Sequence, residues 1–348
     1  MTIELESQLE RIFAERLKIS PQGLKLTKLQ GDASYRIYYR LTLPEGRTFV
    51  VMKLPEGKAS ASEEITNLKS KPAEIPFVNV DRFLSRRGLP VPEIHYADEK
   101  SGILVLEDVG DETLEKRVAA APDDVRRAWY LKSIDLLVEF QQRTAETDSD
   151  CVAYQRSFDA TLLNWEFDHF LKYGVEERLG LKIPRKDAQA IRALTGKVTD
   201  RLTALPQVLV HRDFQSRNLM IQDGSLRLLD FQDALMGPNP YDLVALLRDS
   251  YVGLSPVLID ELIDYYLERR RMGIRGADFL MMFDLVTIQR KLKDAGRFVY
   301  IDRVKGNPTF LKHIPSSLGY VREAFERQAE QKELFDLLKK YVPEWRTA

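Results

Sequence analysis

Only one cysteine, Cys151, occurs in 348 residues, so no disulfide can close within the chain, which suits a reducing compartment. No motif surrounds that thiol, and it reads as a small buried hydrophobe. Excess charge is missing too. Lys and Arg number 52 against 53 Asp and Glu, a net of −1, which removes any basis for electrostatic capture of nucleic acid or an anionic membrane. No run of about 18 uncharged apolar residues exists, which excludes a membrane-spanning helix on hydropathy. Met1 to Ser7 lack the basic and apolar regions of a signal peptide. A soluble cytoplasmic protein is expected, without repeats or low-complexity tracts, and long enough for about two domains.

The informative stretch runs from Val208 to Tyr241. Three short apolar runs, Val208 to Val210, Leu219 to Ile221 and Leu226 to Leu229, predict brief buried strands bounded by polar turns. His211-Arg212-Asp213 follows the first, Asn218 stands five positions after Asp213, and Asp230-Phe231 follows the third. This is the spacing of the kinase catalytic loop and its metal-binding Asp-Phe dipeptide. Phosphoryl transfer needs those residue types. A carboxylate such as Asp213 orients the attacking hydroxyl and takes its proton, while hard oxygen ligands such as Asn218 and Asp230 hold Mg²⁺ against the phosphates.

Upstream, Ile3 to Lys18 has its apolar residues at helical spacing and predicts an amphipathic packing helix. Leu24 to Leu29, Tyr35 to Leu43 and Thr48 to Leu54 then predict an antiparallel meander. Between the first two strands, Gly31-Asp32-Ala33-Ser34 fits either a plain hairpin turn or a loop that brings backbone amides and the Ser34 hydroxyl to a phosphate. Lys53 ends Phe49-Val50-Val51-Met52, and strand alternation is expected to aim it at the cleft, where a kinase strand lysine contacts the α- and β-phosphates. The helix around Phe77 to Leu84, with Gly88 as its C-cap, carries Asn79 where kinases place the glutamate that pairs with this lysine. Glu63, Glu64 or Glu74 is then left to substitute, or phosphate alone holds Lys53. Ile103 to Gly110 predicts the last strand of this half and its exit, with backbone groups of Glu107 and Val109 facing adenine in the crevice.

Beyond Gly110 the pattern is helical, with long apolar stripes over Asp123 to Arg143, Leu162 to Lys172 and much of Val257 to Val342. Trp165 and Tyr173 read as core aromatics or as the wall of a sugar pocket. Gly237-Pro238-Asn239-Pro240 is expected to break the chain ahead of a helix from Leu243 to Arg248. Asp242 is placed either to cap that helix or to hold the catalytic loop by its backbone.

With these residues together, the chain resembles the aminoglycoside phosphotransferase and choline kinase superfamily. Within it, the chain is most similar to the bacterial anomeric kinases of N-acetylmuramate and N-acetylglucosamine. The likeness to kinases in general rests on His211-Arg212-Asp213, Asn218 and Asp230. The sugar-kinase branch rests on Asp32-Ala33-Ser34-Tyr35-Arg36, Leu106-Glu107-Asp108-Val109-Gly110, Arg217-Asn218-Leu219-Met220, Asp230-Phe231-Gln232-Asp233-Ala234, and Gln289-Arg290-x-Leu292-Lys293-x-x-Gly296-x-Phe298. The resemblance implies an α+β, protein-kinase-like two-lobed fold with a small antiparallel-sheet N-lobe and a larger, mainly helical C-lobe. Residues 1–107 would be the nucleotide-binding lobe and 108–348 the lobe with the catalytic loop and substrate site.

The same resemblance implies ATP and Mg²⁺ as cofactors, Asp213 as base, Asn218 and Asp230 as metal ligands, Ser34 and Lys53 on phosphates, and Glu107 and Val109 at adenine. Arg217, Asp233 and Arg290 are assigned to the sugar. Asn79 departs from the pattern, which puts the lysine pairing in doubt. The expected partner is a small-molecule sugar, with no nucleic acid and no membrane, and the oligomeric state is open. Two alternatives stand beside the sugar kinase. An antibiotic kinase would need carboxylates for a polycation, for which Asp159, Glu166 and Asp168 are candidates opposed by Arg217, Arg290 and Arg297. A nucleotide-binding pseudokinase scaffold has only Asn79 in its favour.

Overall fold

The computed structural model describes residues 2–29, 36–54, 74–271, 273 and 276–346. The loop Gly31-Asp32-Ala33-Ser34, Tyr35, Glu63 and Glu64 lie outside the described residues.

An opening helix α1 (Thr2–Arg11), widening into a π-helical turn to Leu17, precedes a five-stranded sheet. The strands are β1 (Lys25–Lys28), β2 (Ile37–Thr42), β3 (Thr48–Lys53), β4 (Ile94–Asp98) and β5 (Ile103–Glu107). Their spatial order is β1-β2-β3-β5-β4, and every neighbouring pair is antiparallel. Between β3 and β4 runs α2 (Pro76–Arg86), closed by Gly88, whose amide bonds Ser85 O at 2.8 Å.

Cross-strand register sorts this sheet into two faces. Tyr39, Val51 and Val105 stand opposite one another, as do Leu41 and Phe49. This set packs with Leu5, Leu9, Ile12 and Phe13 under the opening helix. Tyr38, Met52 and Leu104, with Val50 and Leu106, face the other way into the main core. In antiparallel sheets directly opposed residues share a side. Arg36 and Arg40, two positions either side of Tyr38, therefore belong with the second face.

The chain then becomes helical through α3 (Leu114–Val118), α4 (Asp123–Arg143), α5 (Ala160–His169) with a π-helical extension Phe170–Glu177, and α6 (Arg185–Thr203). Local signals start these helices: Asp159 caps α5 by accepting from Leu162 N at 2.8 Å, and Asp123 and Asp124 begin α4 with the charge its N-terminus favours. After the catalytic region come α7 (Tyr241–Leu247), α8 (Pro256–Arg270), α9 (Gly276–Lys305), α10 (Ile314–Arg327) and α11 (Lys332–Leu338). The thirty-residue α9 is buried along most of its length and forms the spine of the large lobe.

Two small ribbons carry the region from Val208 to Tyr241. β7 (Leu219–Gln222) and β8 (Ser225–Leu228) form a hairpin, while β6 (Gln207–Val210) pairs with β9 (Leu235–Pro238). The second pairing corrects the expectation that Gly237-Pro238 simply breaks the chain. Pro238 sits at the end of an edge strand opposite Gln207, where a missing N–H is tolerated. The helix that follows starts at Tyr241, two residues earlier than its pattern suggests.

Candidate active site

The β7–β8 hairpin brings the metal-type ligands together. Asp223 and Gly224 both have positive φ, 50° and 74°, the geometry of a tight two-residue turn that matches strand twist. Leu219 stands opposite Leu228, and Leu229 N bonds Asn218 O at 2.9 Å. Asn218, just before β7, and Asp230, two residues after β8, are therefore neighbours. Asn218 donates its Nδ2 to the carbonyl of Asp213 at 2.8 Å, so its side-chain oxygen is the atom that could serve a cation.

The catalytic loop itself is held by buried carboxyl groups, and burial pushes that of Asp242 up to about 7 while the His211 and Arg212 amides pull it down. Asp242 accepts from His211 N at 2.7 Å and Arg212 N at 3.0 Å, so of its two expected roles it takes the loop-holding one. Asp249 does the same further on, accepting from Ser216 N at 2.8 Å and Ser216 Oγ at 2.6 Å. Arg212 has φ 77°, a left-handed conformation costly for a side chain other than glycine. It is fixed through its guanidinium on Glu166, 3.1 Å, and its carbonyl on Arg290, 2.5 Å. Gln289 holds the other oxygen of Glu166 at 2.6 Å. His211 is wholly buried, and burial pushes its imidazole down to about 4, so it is neutral.

Asp213 retains 31% exposure, opening into the cleft. Burial pushes its carboxyl up, but the charges of Lys293, Arg290 and Arg212 outweigh that and hold it at about 2. Arg290 makes the direct contact, 3.2 Å to Asp213 Oδ1. Asp230, in left-handed backbone, is 45% exposed yet ringed by enough protein that burial raises its carboxyl; Arg36 opposes the shift, while Asp213 and Asp233 add to it. Gln232 donates to Asp230 at 2.9 Å and to Asp233 at 3.2 Å. The second oxygen of Asp233 is buried without a hydrogen-bond partner among the described residues. The grouping of Asp213, Asp230 and Asp233, with oxygen donors from Asn218 and Asp230, fits a hard divalent cation shared with phosphate. Among the described residues no cluster of three or more His, Cys, Asp or Glu has metal-binding geometry.

On the sheet side Lys53 requires correction. It shares the face of Phe49 and Val51, away from the cleft, and donates to Ser101 O at 2.6 Å. Asn79 does not face it either. That side chain donates to Asp150 O at 2.9 Å and accepts from Val152 N at 2.7 Å, tying α2 to the large lobe. Glu74 pairs with Arg82. The cleft-facing cation is Arg36, 11% exposed, whose guanidinium lies 3.5 Å from Asp230 Oδ1. Arg40, on the same face, clamps the passage between lobes through Asp108 at 2.6 and 3.0 Å and Asp111 at 2.7 and 2.9 Å. In the sequence Arg36 stands within the motif Asp32-Ala33-Ser34-Tyr35-Arg36 and Arg40 outside every motif. Their shared parity with Tyr38, Arg36 just before β2 and Arg40 within it, was the available signal.

At the lobe junction the Glu107 amide bonds Glu93 O at 2.8 Å, and its carboxylate pairs with Arg227. Of the Glu107 backbone only the carbonyl is left as an adenine contact. Residues assigned to the sugar also divide. Arg290 is 0% exposed, so it supports the loop and does not line a pocket. Arg217 forks onto Glu115 at 2.8 and 3.0 Å and lies over Tyr251, 3.7 Å from the ring centre. The acids wanted for a polycation are engaged elsewhere: Asp159 as a cap, Glu166 inside the loop network and Asp168 on Arg192 at 2.7 Å.

Residues 25–277 match the model of the phosphotransferase enzyme family. The chain belongs to that family. It is 31% identical over 346 residues to the N-acetylmuramate/N-acetylglucosamine kinase of Neisseria meningitidis serogroup B, covering 98% of this chain and 96% of that one. Among solved structures it resembles a Plasmodium vivax ethanolamine kinase, with TM-score 0.63 and 13% identity over 92% of this chain and 89% of that chain. It also resembles the choline kinase LicA of Streptococcus pneumoniae, with TM-score 0.59 and 16% identity over 94% and 99%; LicA has been solved with AMP as well. The two-lobed kinase-like fold and a phosphotransferase activity follow for this chain. No described helix is long and apolar enough to cross a membrane.

Proposed function

We propose that this phosphotransferase moves the terminal phosphate of ATP to the anomeric hydroxyl of an N-acetylated amino sugar. The observation that carries the reading is the state of Asp213: ionised, open to the cleft, tied by its carbonyl to Asn218 and by its carboxylate to Arg290, with Asp230 close enough to feel its charge. The near full-length relative, itself a kinase of N-acetylmuramate and N-acetylglucosamine, supplies the acceptor class.

Asp213 accepts a hydrogen bond from the acceptor hydroxyl and aims it at phosphorus. A carboxylate held near 2 is a weak base, so proton transfer comes late, as the loose transition state of phosphoryl transfer allows. Asn218 and Asp230 would hold Mg²⁺, which when bound supplies the positive charge the β- and γ-phosphates require. Arg36, beside Asp230 on the cleft face, takes the phosphate-contacting role expected of Lys53. The Glu107 carbonyl and Val109 amide meet the adenine edge, steadied by Arg40 on Asp108 and Asp111. Ser34 remains part of the phosphate loop in this reading, and Asp233 stays on the acceptor side. We take 1–107 as the nucleotide-binding lobe and 108–348 as the catalytic and acceptor lobe.

ATP consumption with Mg²⁺ against N-acetylglucosamine, N-acetylmuramate, glucosamine, plain hexoses and an aminoglycoside tests this, with the phosphorylated position read by phosphorus NMR. Phosphate at C1 of the N-acetylated sugars is expected. Turnover of the aminoglycoside alone, or nucleotide binding with no turnover, would overturn it.

A further inference from the structure

Along α9, Arg290, Lys293 and Arg297 recur at helical spacing on the side turned to the catalytic loop, and their charges reach Asp213. Two of them are satisfied by protein. Arg290 holds the loop, and Lys293 donates to Asp294 at 3.0 Å. Arg297 is different: it is half-buried, forms no ion pair among the described residues, and lies 4.9 Å above the ring of Tyr300. Burial weakens its hold on its proton and Arg212 adds to the effect, while Tyr300, Asp213 and Asp233 oppose it from a distance, so this guanidinium has no direct ion-pair partner among the described residues.

An aromatic wall stands beside it. Trp165 and His169 are 5.0 Å apart between ring centres, His169 and Tyr173 4.7 Å, His169 and Tyr300 5.4 Å, and Tyr173 and Tyr300 5.2 Å. His169 is buried, its Nε2 has no hydrogen-bond partner among the described residues, and burial together with the charge of Arg297 pushes it down to about 3. The wall is pinned to α9 because Gly296 lets the π-helical segment approach: a Cβ there would stand 2.8 Å from the Phe170 Cα. Trp165, Tyr173 and Tyr300 remain half-buried, with surface to offer a sugar ring.

We infer that Arg297, backed by Lys293 and this wall, forms a subsite that reads a carboxylate carried by the acceptor sugar. The inference rests on the reading of the protein as an amino-sugar kinase and adds the substituent that the site selects. Seven residues of helix separate Arg297 from Arg290, about 10 Å along the axis, which suits a pyranose whose reacting hydroxyl meets Asp213 while a lactyl ether arm extends toward Arg297. N-acetylmuramate carries that arm and N-acetylglucosamine lacks it. A half-buried guanidinium with no ion pair among the described residues gains most from a ligand that brings a carboxylate into direct contact.

The test compares kcat/KM for the two sugars in the wild type and in Arg297→Gln and Arg297→Lys. For N-acetylmuramate the Gln variant is expected to lose about 10- to 100-fold, the usual worth of a charge-assisted hydrogen bond, and the Lys variant to recover part of it. For N-acetylglucosamine both variants should stay near the wild type. Equal losses on both sugars would make Arg297 a merely structural residue, and an unchanged N-acetylmuramate rate would remove it from recognition; either overturns the inference while leaving the sugar kinase standing. A wild type that favours the neutral sugar in kcat/KM overturns it too. Turnover of neither sugar would instead remove the amino-sugar reading, and the subsite with it.

Discussion

The two sides of the cleft are built differently. On the helical side the catalytic loop is gripped through its backbone by Asp242 and Asp249, both at 0% exposure. On the sheet side the grip is made by arginine side chains, Arg36 on Asp230 and Arg40 on Asp108 and Asp111. Buried carboxylates that satisfy main-chain amides are costly to disturb, whereas partly exposed ion pairs are weak and screened by salt. In the proposed function, the loop that would align the acceptor is thus rigid, and the surface that would receive the nucleotide is held by contacts that can be exchanged for phosphate.

That contrast is sharpened most by Asp213→Ala, which should lower kcat by about 10² to 10⁴ while the KM for ATP changes little, because a positioned base acts on the chemical step. Equal kcat in the variant would move the base elsewhere. Next comes Asp242→Ala, which leaves the His211 and Arg212 amides buried and unpaired; a loss of roughly 2–5 kcal/mol of unfolding free energy is expected in a denaturant titration. A near-neutral result would erase the claimed difference in rigidity.

Arg36→Met should raise the KM for ATP about 10-fold or more with a smaller change in kcat, and an unaltered KM would leave the sheet side without its phosphate cation. In pH profiles, Asp213 held near 2 stays ionised and puts no acid limb into the ordinary carboxylate range. Removing a neighbouring positive charge favours the protonated form, so Arg290→Met should move that limb upward; an unmoved limb would show that Lys293 and Arg212 suffice. The smallest effect is predicted for Lys53→Met, within about 2-fold of wild type in every parameter, as for a surface substitution away from the site. A large loss of ATP affinity there would break the two-face description of the sheet.

The catalytic region was legible because its signals are local. An Asp-Gly turn closes a hairpin, hairpin closure brings Asn218 to Asp230, and the five-residue spacing from Asp213 to Asn218 is short enough for their hydrogen bond to form within the loop. Lys53 was misread for an equally physical reason. Phe49-Val50-Val51-Met52 is apolar on both faces of the sheet, so no alternation marks which parity meets the cleft, and a shift of one residue reverses every side chain. Arg290 and Arg297 show the same limit on a helix: their spacing assigns them to one face, but periodicity says nothing about which of them another segment seals.

By itself the order of residues determined the short strands, the turn between them and the chemical types gathered at their ends, because each depends on neighbours a few positions apart. Only the tertiary structure decided that α1 covers the Lys53 face, that Arg36 looks across at Asp230, and that the catalytic loop encloses Arg290 while Arg297 makes no ion pair among the described residues. Those outcomes depend on segments tens to hundreds of residues apart competing to bury the same surfaces, and local pattern carries no record of which one succeeds.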